Sequence, residues 1–170
     1  MNIFTEETII VDTETTGLNP ATDELLQIAI IDGTGKTLFN EYIKPTQTKS
    51  WTEAEKIHGI TPAKVKNCKD ITAYKNQLSD IINNAKTIIG YNTRFDLAFL
   101  RHHIDIMPGK KIIDIMPIFA KIYGEKSIYN PEQYKYQKLS TAAAYYKYDY
   151  VPHNALNDVL ATLHVAKNLL

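Results

Sequence analysis

The chain has 170 residues, 44% of them hydrophobic, and its 19 lysines and arginines balance 19 aspartates and glutamates. This length and apolar content predict a single domain over residues 1–170 that buries a core of its own. A net charge of zero counts against the basic surface that a long duplex footprint requires. It does not exclude a protein that holds only a few nucleotides, because bound metal ions can supply positive charge locally.

Signals for export, membrane insertion and structural cysteine chemistry are missing from the sequence. We find no charged leader before an apolar stretch and no apolar run long enough to span a bilayer, so we expect a cytoplasmic protein with no membrane partner. The single cysteine, Cys68, cannot form an internal disulfide, and without other cysteines nearby it cannot anchor a zinc site.

The predicted elements change from strands to alternating helices and strands along the chain. Three β-branched, apolar segments bounded by turn residues predict an antiparallel meander over residues 8–13, 24–31 and 37–43. Two further strands are predicted at residues 87–89 and 111–115. Helical spacing predicts helices over residues 51–57, from Pro62, over 71–85, 95–104, 117–123 and 139–147, and from Asn154 to the end, with a loop over 124–137. This order predicts an α/β protein in which helices cover a mixed sheet.

The strongest local signal is a pair of acids, Asp12 and Glu14, that follows an apolar strand. Residues two apart on a strand point to the same face, so these carboxylates project together. Their repulsion raises both pKa values unless a cation neutralises them, and hard oxygen ligands suit Mg²⁺ or Mn²⁺. The alternative is a strand that runs into a solvated turn at Gly17.

A second acid lies at another junction of strand and helix. Asn92 can serve as the N-cap of the following helix, and Asp96 then falls in its first turns, beside Phe95. Because the helix dipole also favours an acid there, Asp96 taken alone is better explained by dipole compensation than by ligand binding.

The third signal is His153 followed five residues later by Asp158. Five residues apart within one helix the two side chains would diverge, so we place His153 in the loop before the last helix and Asp158 on that helix. Both can then face one cleft. Taken alone, a histidine at this position is more often a capping or surface residue.

Seven of the eleven tyrosines fall between Tyr129 and Tyr150, near Lys126, Lys135, Lys138 and Lys147. Aromatic rings interleaved with lysines can stack on bases and hold phosphates. The alternative, packing and ordinary surface tyrosines, is the more common use of such a composition.

Together and in this order, the three acidic segments resemble the DEDDh exonucleases, the superfamily of the proofreading epsilon subunit of bacterial DNA polymerase III. Further patterns that match this family are residues 57–61 (Ile-His-Gly-Ile-Thr), the pair Ile113-Asp114, and residues 139–146, which resemble the helix before the third motif. Tyr91 departs from the family, which commonly has histidine there, so the resemblance implies an altered substrate contact at this position and intact catalysis.

This resemblance implies an RNase H-like α/β fold, in which a five-stranded mixed sheet, three antiparallel strands then two parallel ones, is flanked by helices. It implies a 3′→5′ exonuclease that releases nucleoside 5′-monophosphates with two Mg²⁺ or Mn²⁺ ions about 3.5–4 Å apart. The implied metal ligands are Asp12, Glu14, Asp96 and Asp158, and the implied general base is His153. The implied substrate contacts are Thr13, Thr15, Leu18, His58, Asn92 and Phe95; for Phe95, core packing is the favoured alternative.

The expected partner is a nucleic-acid 3′ end, with single-stranded DNA favoured, and the enzyme either stands alone or associates with a DNA polymerase. An RNA exonuclease of the RNase T or oligoribonuclease type shares all five catalytic positions and remains an alternative. A second alternative is a catalytically silent nucleic-acid-binding adaptor on the same fold. Four clustered acids without metals are costly to keep together, which argues against the adaptor.

Overall fold

Five strands form one mixed sheet in the computed structural model, which describes residues 3–170. The strands are β1 (Thr8–Thr15), β2 (Leu25–Asp32), β3 (Thr37–Tyr42), β4 (Thr87–Gly90) and β5 (Lys111–Asp114), and they lie in the order β3-β2-β1-β4-β5. The pairs β1–β2 and β2–β3 are antiparallel, whereas β1–β4 and β4–β5 are parallel. The predicted α/β fold class and its mixed sheet are confirmed.

The described residues also form seven helices. They are α1 (Thr52–His58), α2 (Pro62–Val65), α3 (Lys75–Asn84), α4 (Thr93–Arg101), α5 (Ile115–Tyr123), α6 (Leu139–Tyr145) and α7 (Ala155–Leu169), and a 3-10 turn (Ile71–Tyr74) precedes α3. Within residues 3–170, no helix is both long and apolar enough to cross a bilayer.

Strand alternation divides the core between the two faces of the sheet. Ile9 and Val11 of β1 pack with residues of α3 and α4 on one face, whereas Ile10 packs with α5, α6 and α7 on the other. Successive side chains on a strand point to opposite faces, and helices cover both, so β2 is buried along its whole length. The same alternation decides on which side of β1 each later polar residue lies.

Several boundaries differ from the sequence prediction for identifiable reasons. Strand β1 continues two residues beyond the predicted end at Thr13, because Glu14 and Thr15 still pair with β2, with a register shift between them. The predicted helix over residues 71–85 is divided into the 3-10 turn and α3. Asp70 caps the turn by accepting the backbone N–H of Thr72 at 2.8 Å, and apolar spacing continues across both pieces.

Glu24 fastens the loop between β3 and α1 to the start of β2. Its carboxylate accepts hydrogen bonds from the N–H and the hydroxyl of Thr46 and from the N–H groups of Gln47 and Thr48, at 2.7–3.0 Å. Partial burial alone would raise the pKa of Glu24, but these donors outweigh it and lower the pKa to about 2.

We predict that Glu24→Gln destabilises the protein at neutral pH, because the amide offers one oxygen where the carboxylate offered two. Glu24 is largely solvated, so the expected loss is about 1 kcal/mol after allowance for solvent screening. A depressed pKa in the folded state gives stabilisation that is full above the unfolded pKa of about 4.3 and is lost as the pH falls through about 2.

Urea unfolding of the wild type and Glu24→Gln should therefore show a stability gap that narrows between about pH 5 and pH 2. Glu6→Gln, at an exposed position, is the matched control and should show no such gap. A gap that is constant with pH would contradict the assignment.

Candidate active site

Strand β1 presents Asp12 and Glu14 on the face that α7 covers, and Asp158 reaches them from α7. One carboxylate oxygen from each of the three residues lies within 4.8 Å of the other two. The side chains of Asp12 and Glu14 project side by side on one face of β1, as their spacing predicts.

The start of α7 is fixed so that Asp158 meets β1. The Asn154 side chain accepts hydrogen bonds from the first N–H groups of the helix at 3.2 and 3.4 Å. The buried Gln27 of β2 accepts the N–H of Ala155 at 3.2 Å, which ties the helix to the sheet. The backbone N–H of His153 donates to Asp158 Oδ2 at 2.9 Å. His153 thus lies in the loop and Asp158 on the helix, as predicted.

Asp96 approaches the other acids from the opposite side of β1. It lies in the first turn of α4, is only 3% exposed, and accepts a hydrogen bond from the Thr13 hydroxyl at 2.8 Å. Because Thr13 points away from the face of Asp12 and Glu14, this bond places Asp96 behind the three-acid cluster. Buried and held in this way, Asp96 does more than compensate a helix dipole.

Asn92 occupies the N-cap position of α4 but does not cap with its side chain. Its backbone is left-handed (φ 67°), and its side chain makes no capping hydrogen bond. Instead its N–H donates to Asp114 Oδ1 at 2.9 Å, and the same oxygen accepts the N–H of Met116 at 3.1 Å. Asp114 therefore fixes the starts of both α4 and α5, which explains the Ile113-Asp114 pair structurally.

The clustered acids all have raised pKa values. Burial, with the charges of Asp158 and Asp96, raises the pKa of Glu14 to about 8. Burial and the charges of the other three acids raise the pKa of Asp12 well above its usual range. Burial raises the pKa of Asp96 to about 7, although the Thr13 hydroxyl opposes the rise. Fully ionised, these carboxylates need a positive charge nearby.

The residues present fit divalent cations. All the converging donors are carboxylate oxygens, which suit Mg²⁺ or Mn²⁺, and none of the ion pairs found among residues 3–170 involves these acids. The Tyr150 hydroxyl lies against Asp158, and burial together with this carboxylate raises the pKa of Tyr150, so a protonated phenol stands beside the acids.

A cleft of about 520 Å³ opens above the acids, and we call it the acidic cleft. The predicted site residues that line it are Asp12, Thr13, Glu14, Leu18, Asn92, Phe95, His153 and Asp158. Leu18 is 84% exposed at its edge, whereas Phe95 also packs against the core, with its ring centroid 5.0 Å from that of Phe99. Both suggested uses of Phe95, packing and cleft wall, are thus present.

Three predicted residues, Asp96, Thr15 and His58, do not line the acidic cleft. The Thr15 hydroxyl donates to the carbonyl of Gly17 at 2.5 Å. His58 Nδ1 accepts the N–H of Ile60 at 3.0 Å, so Nε2 carries the proton that faces the Thr15 carbonyl at 3.2 Å. Gly59 ends α1 in a left-handed conformation (φ 68°), which forms the turn that aims the ring. Both ring nitrogens of His58 are therefore used within the protein.

Sequence reasoning missed the cleft residues Met116, Gln137 and Pro152, and it named Lys138 and Tyr150 only as members of the tyrosine- and lysine-rich segment. The tyrosine-rich composition drew attention to this region, but no spacing rule separates Tyr150 from its neighbours. Only the fold shows that its hydroxyl reaches the acids.

The sheet carries a cluster of carboxylates on an RNase H-like scaffold. Residues 9–166 match the model of the RNase T family, which is described as an exonuclease family. The match covers nearly the whole chain, and the chain belongs to this family. The expected family is confirmed. Because it is a family of exonucleases, the expected class of enzyme, a nuclease, is confirmed as well.

Curated relatives include DNA polymerase subunits. The chain is 29% identical to DNA polymerase III subunit epsilon of Rickettsia conorii over 138 residues, which is 77% of this chain and 59% of that subunit. It is 31% identical to the Buchnera aphidicola subunit over 142 residues, 72% of this chain and 59% of that one. With the PolC-type DNA polymerase III of Latilactobacillus sakei it shares 29% identity over 89% of this chain and 10% of the polymerase. The chain spans only part of each.

Solved structures confirm the fold. Escherichia coli exonuclease I in complex with a dT13 oligonucleotide superposes with a TM-score of 0.78 at 23% identity, covering 95% of this chain and 40% of that one. A zinc-bound complex of the same protein with single-stranded DNA gives a TM-score of 0.77, also at 23% identity. At this identity the likeness establishes the architecture.

We predict that, in chelator, the stability of the wild type falls relative to Glu14→Gln as the pH rises from about 5 to about 8. A carboxyl whose folded pKa is raised to about 8 binds its proton more tightly when folded. The resulting stabilisation is full below the unfolded pKa of about 4.3 and is lost as the pH approaches 8. The relative change should reach about 4 kcal/mol, since the stabilisation falls by about 1.4 kcal/mol for each of the roughly three pH units between pH 5 and pH 8.

Thermal or urea unfolding of both proteins in chelator measures this difference. The exposed substitution Glu6→Gln serves as the control and should follow the wild type across the range. Parallel curves for the wild type and Glu14→Gln would show that Glu14 is not crowded by other acids.

Proposed function

We propose that this protein is a 3′→5′ exonuclease that hydrolyses the terminal phosphodiester of a nucleic acid and releases nucleoside 5′-monophosphates. The observation that carries the proposal is the convergence of Asp12, Glu14 and Asp158 within 4.8 Å, with His153 on the wall of the same cleft. Membership of the exonuclease family supports the reaction class. DNA is the preferred substrate in this proposal, which the polymerase III names of the relatives support.

Four carboxylates would hold two divalent ions in the proposed mechanism. Asp12, Glu14 and Asp158 offer oxygens to a common point, whereas Asp96 lies behind them and would contribute directly or through water. Bound ions would supply a water of lowered pKa and positive charge at the attacking and leaving oxygens. Thr13 then serves as a positioning residue, because its hydroxyl fixes the Asp96 carboxylate.

His153 is proposed as the general base that accepts the proton of the attacking water at an imidazole nitrogen. The residue is exposed on the cleft wall, and its backbone is tied to Asp158. Among residues 3–170, no hydrogen bond is found to its ring nitrogens, in contrast to the ring of His58. An imidazole ring that is free to accept a proton suits general-base catalysis around neutral pH.

The 3′-terminal nucleotide would lie against Leu18, Asn92 and Phe95, which combine an exposed apolar side chain, an amide and an aromatic ring on the cleft wall. Thr13, Thr15 and His58 would act on substrate binding through the geometry of the wall, since their side chains already have partners within the protein. This division refines the expected set of substrate contacts.

We predict that Asp12→Asn and His153→Ala separate metal binding from proton transfer. Asp12→Asn should abolish both cleavage and the rise in melting temperature that Mg²⁺ or Mn²⁺ produces, because a metal ligand is lost. His153→Ala should keep the metal-dependent rise but lower kcat about 10²- to 10⁴-fold, the usual contribution of a general base.

Melting curves with and without metal, together with single-turnover cleavage of a 5′-labelled strand, measure both effects. Asp149→Asn and His102→Ala, at exposed positions away from the cleft, are the matched controls. Full turnover in His153→Ala would remove His153 from the base role.

We predict that a time course with matched DNA and RNA strands, each 5′-labelled, shows a ladder that shortens from the 3′ end and runs faster on DNA. Recognition of a 2′-hydroxyl is what would favour RNA, so the ratio of the two rates decides between the proposed enzyme and the RNA exonuclease. Binding without cleavage in Mg²⁺ and in Mn²⁺ would instead identify an adaptor.

A further inference from the structure

Residues 124–138 form a compact hairpin beside the acidic cleft, although the sequence predicts a loop over most of this segment. An isolated antiparallel bridge joins Lys126 to Tyr134, and Lys135 forms an ion pair with Glu125 at 2.7 Å. Gln137 also donates to Glu125, at 2.8 Å. These contacts give the segment, which we call the hairpin, a defined shape.

Tyr91 attaches the hairpin to the wall of the cleft. Its hydroxyl donates to the carbonyl of Gln137 at 2.9 Å, and its ring packs on the core. Tyr91 is the position at which the chain departs from the histidine common in the resembled family. The tyrosine at this position therefore links the acidic cleft to the hairpin.

The fold separates the tyrosines that serve packing from those that are available. Tyr145, Tyr146 and Tyr148 make ring contacts with Phe119 or His164, and Tyr150 packs on the core, so all four have structural roles. The ring of Tyr134 is covered by Lys126, whose Nζ lies 4.0 Å from its centroid.

Two tyrosines of the hairpin expose most of their surface, and they differ in position. Tyr136 is 60% exposed and lines the acidic cleft, whereas Tyr129 is 92% exposed and does not line it. A second groove of about 490 Å³ runs between the hairpin and α5, and Tyr136 lines this groove as well. Tyr136 therefore lies at the junction of the two spaces.

The charges along this route match a polyanion. Lys138 is the one lysine or arginine among the described residues that line the acidic cleft, and no ion pair found in residues 3–170 involves it. Lys121 lines the groove and forms none of the ion pairs found in the described part of the chain, whereas Lys135 is held by Glu125, and Glu132 is the acid among the lining residues. A strand entering a cleft built from carboxylates needs cations of this kind for its phosphates.

We propose that Tyr136 and Lys138 form a track for the single-stranded nucleotides that precede the 3′-terminal one. A base stacks on the exposed ring of Tyr136, Lys138 holds the adjoining phosphate, and the strand continues into the groove beside α5. Stacking on one ring tolerates any base but requires an unpaired one, so the favoured substrate is a single strand or a frayed end. This inference rests on the proposed exonuclease function.

The experiment compares two substrates, a ten-nucleotide single strand and the 5′-p-nitrophenyl ester of one nucleotide, which lacks the base and the phosphate that precede the terminal nucleotide. Tyr136→Ala should raise the KM for the ten-nucleotide strand about tenfold relative to the KM for the ester. Tyr136→Phe retains the ring and should restore the wild-type ratio. Tyr129→Ala, on the same hairpin, is the matched control and should leave both values unchanged.

Binding is measured separately by fluorescence anisotropy of the labelled strand with the Asp12→Asn protein. Adding Lys138→Ala should reduce the slope of log affinity against log salt by about 0.7, the value for one phosphate contact on a single strand. A duplex of the same sequence should bind more weakly than the single strand. Melting temperatures of all variants should match their parent proteins, since both side chains are exposed.

An unchanged KM ratio in Tyr136→Ala, or duplex binding as tight as that of the single strand, would overturn the track. Failure of the proposed function gives a different result, because the wild type would then hydrolyse neither the strand nor the ester.

Discussion

Mutual repulsion among four carboxylates is the constraint on which the arrangement of the site depends. Asp12, Glu14 and Asp158 share one small space, and Asp96 lies just behind it, so their pKa values rise together. A flexible scaffold would let such groups move apart into water. The acids remain together because each is carried by a buried element whose apolar side chains fix its position.

The parallel pairing of β1 with β4 supplies that scaffold. It places the end of β1 beside the start of α4, while the antiparallel partner β2 holds the start of α7 through Gln27. The acids therefore arrive from both faces of the sheet, Asp158 from one side and Asp96 from the other. Thr13 connects the two sides, because it shares a strand with Asp12 but donates to Asp96. A change in the register of β1 by one residue would exchange these roles.

The sequence was sufficient for the parts of the structure that depend on periodicity. The strand and helix order, the shared face of Asp12 and Glu14, and the loop position of His153 all follow from spacings of two and 3.6 residues. The end of β1 was placed too early because polar residues there resemble a turn. Their pairing with β2, a contact distant in sequence, extends the strand.

The hydrogen-bond partners of single side chains cannot be predicted from the sequence for the same reason, because they lie far apart along the chain. The role of Asn92 was predicted from its residue type, yet a left-handed backbone and Asp114, 22 residues away, determine what it does. His58 matches a motif expected to contact substrate, but both of its ring nitrogens have backbone partners. Tyr150 carried no signal of its own, since its importance comes from a buried hydroxyl that only the packed structure reveals.

Net charge misleads here because the charges are separated in space. The chain is neutral as a whole, yet Asp12, Glu14 and Asp158 lie together in the acidic cleft, and a lysine, Lys138, lies on the cleft wall. Electrostatic attraction in salt solution extends only about 8–10 Å, so a strand responds to the nearest charges and hardly to the total. Metal ions at the floor would reverse the local sign for the terminal phosphate, whereas the phosphates before it depend on the protein's own cations. A neutral protein can therefore hold a few terminal nucleotides and still lack affinity for a long duplex.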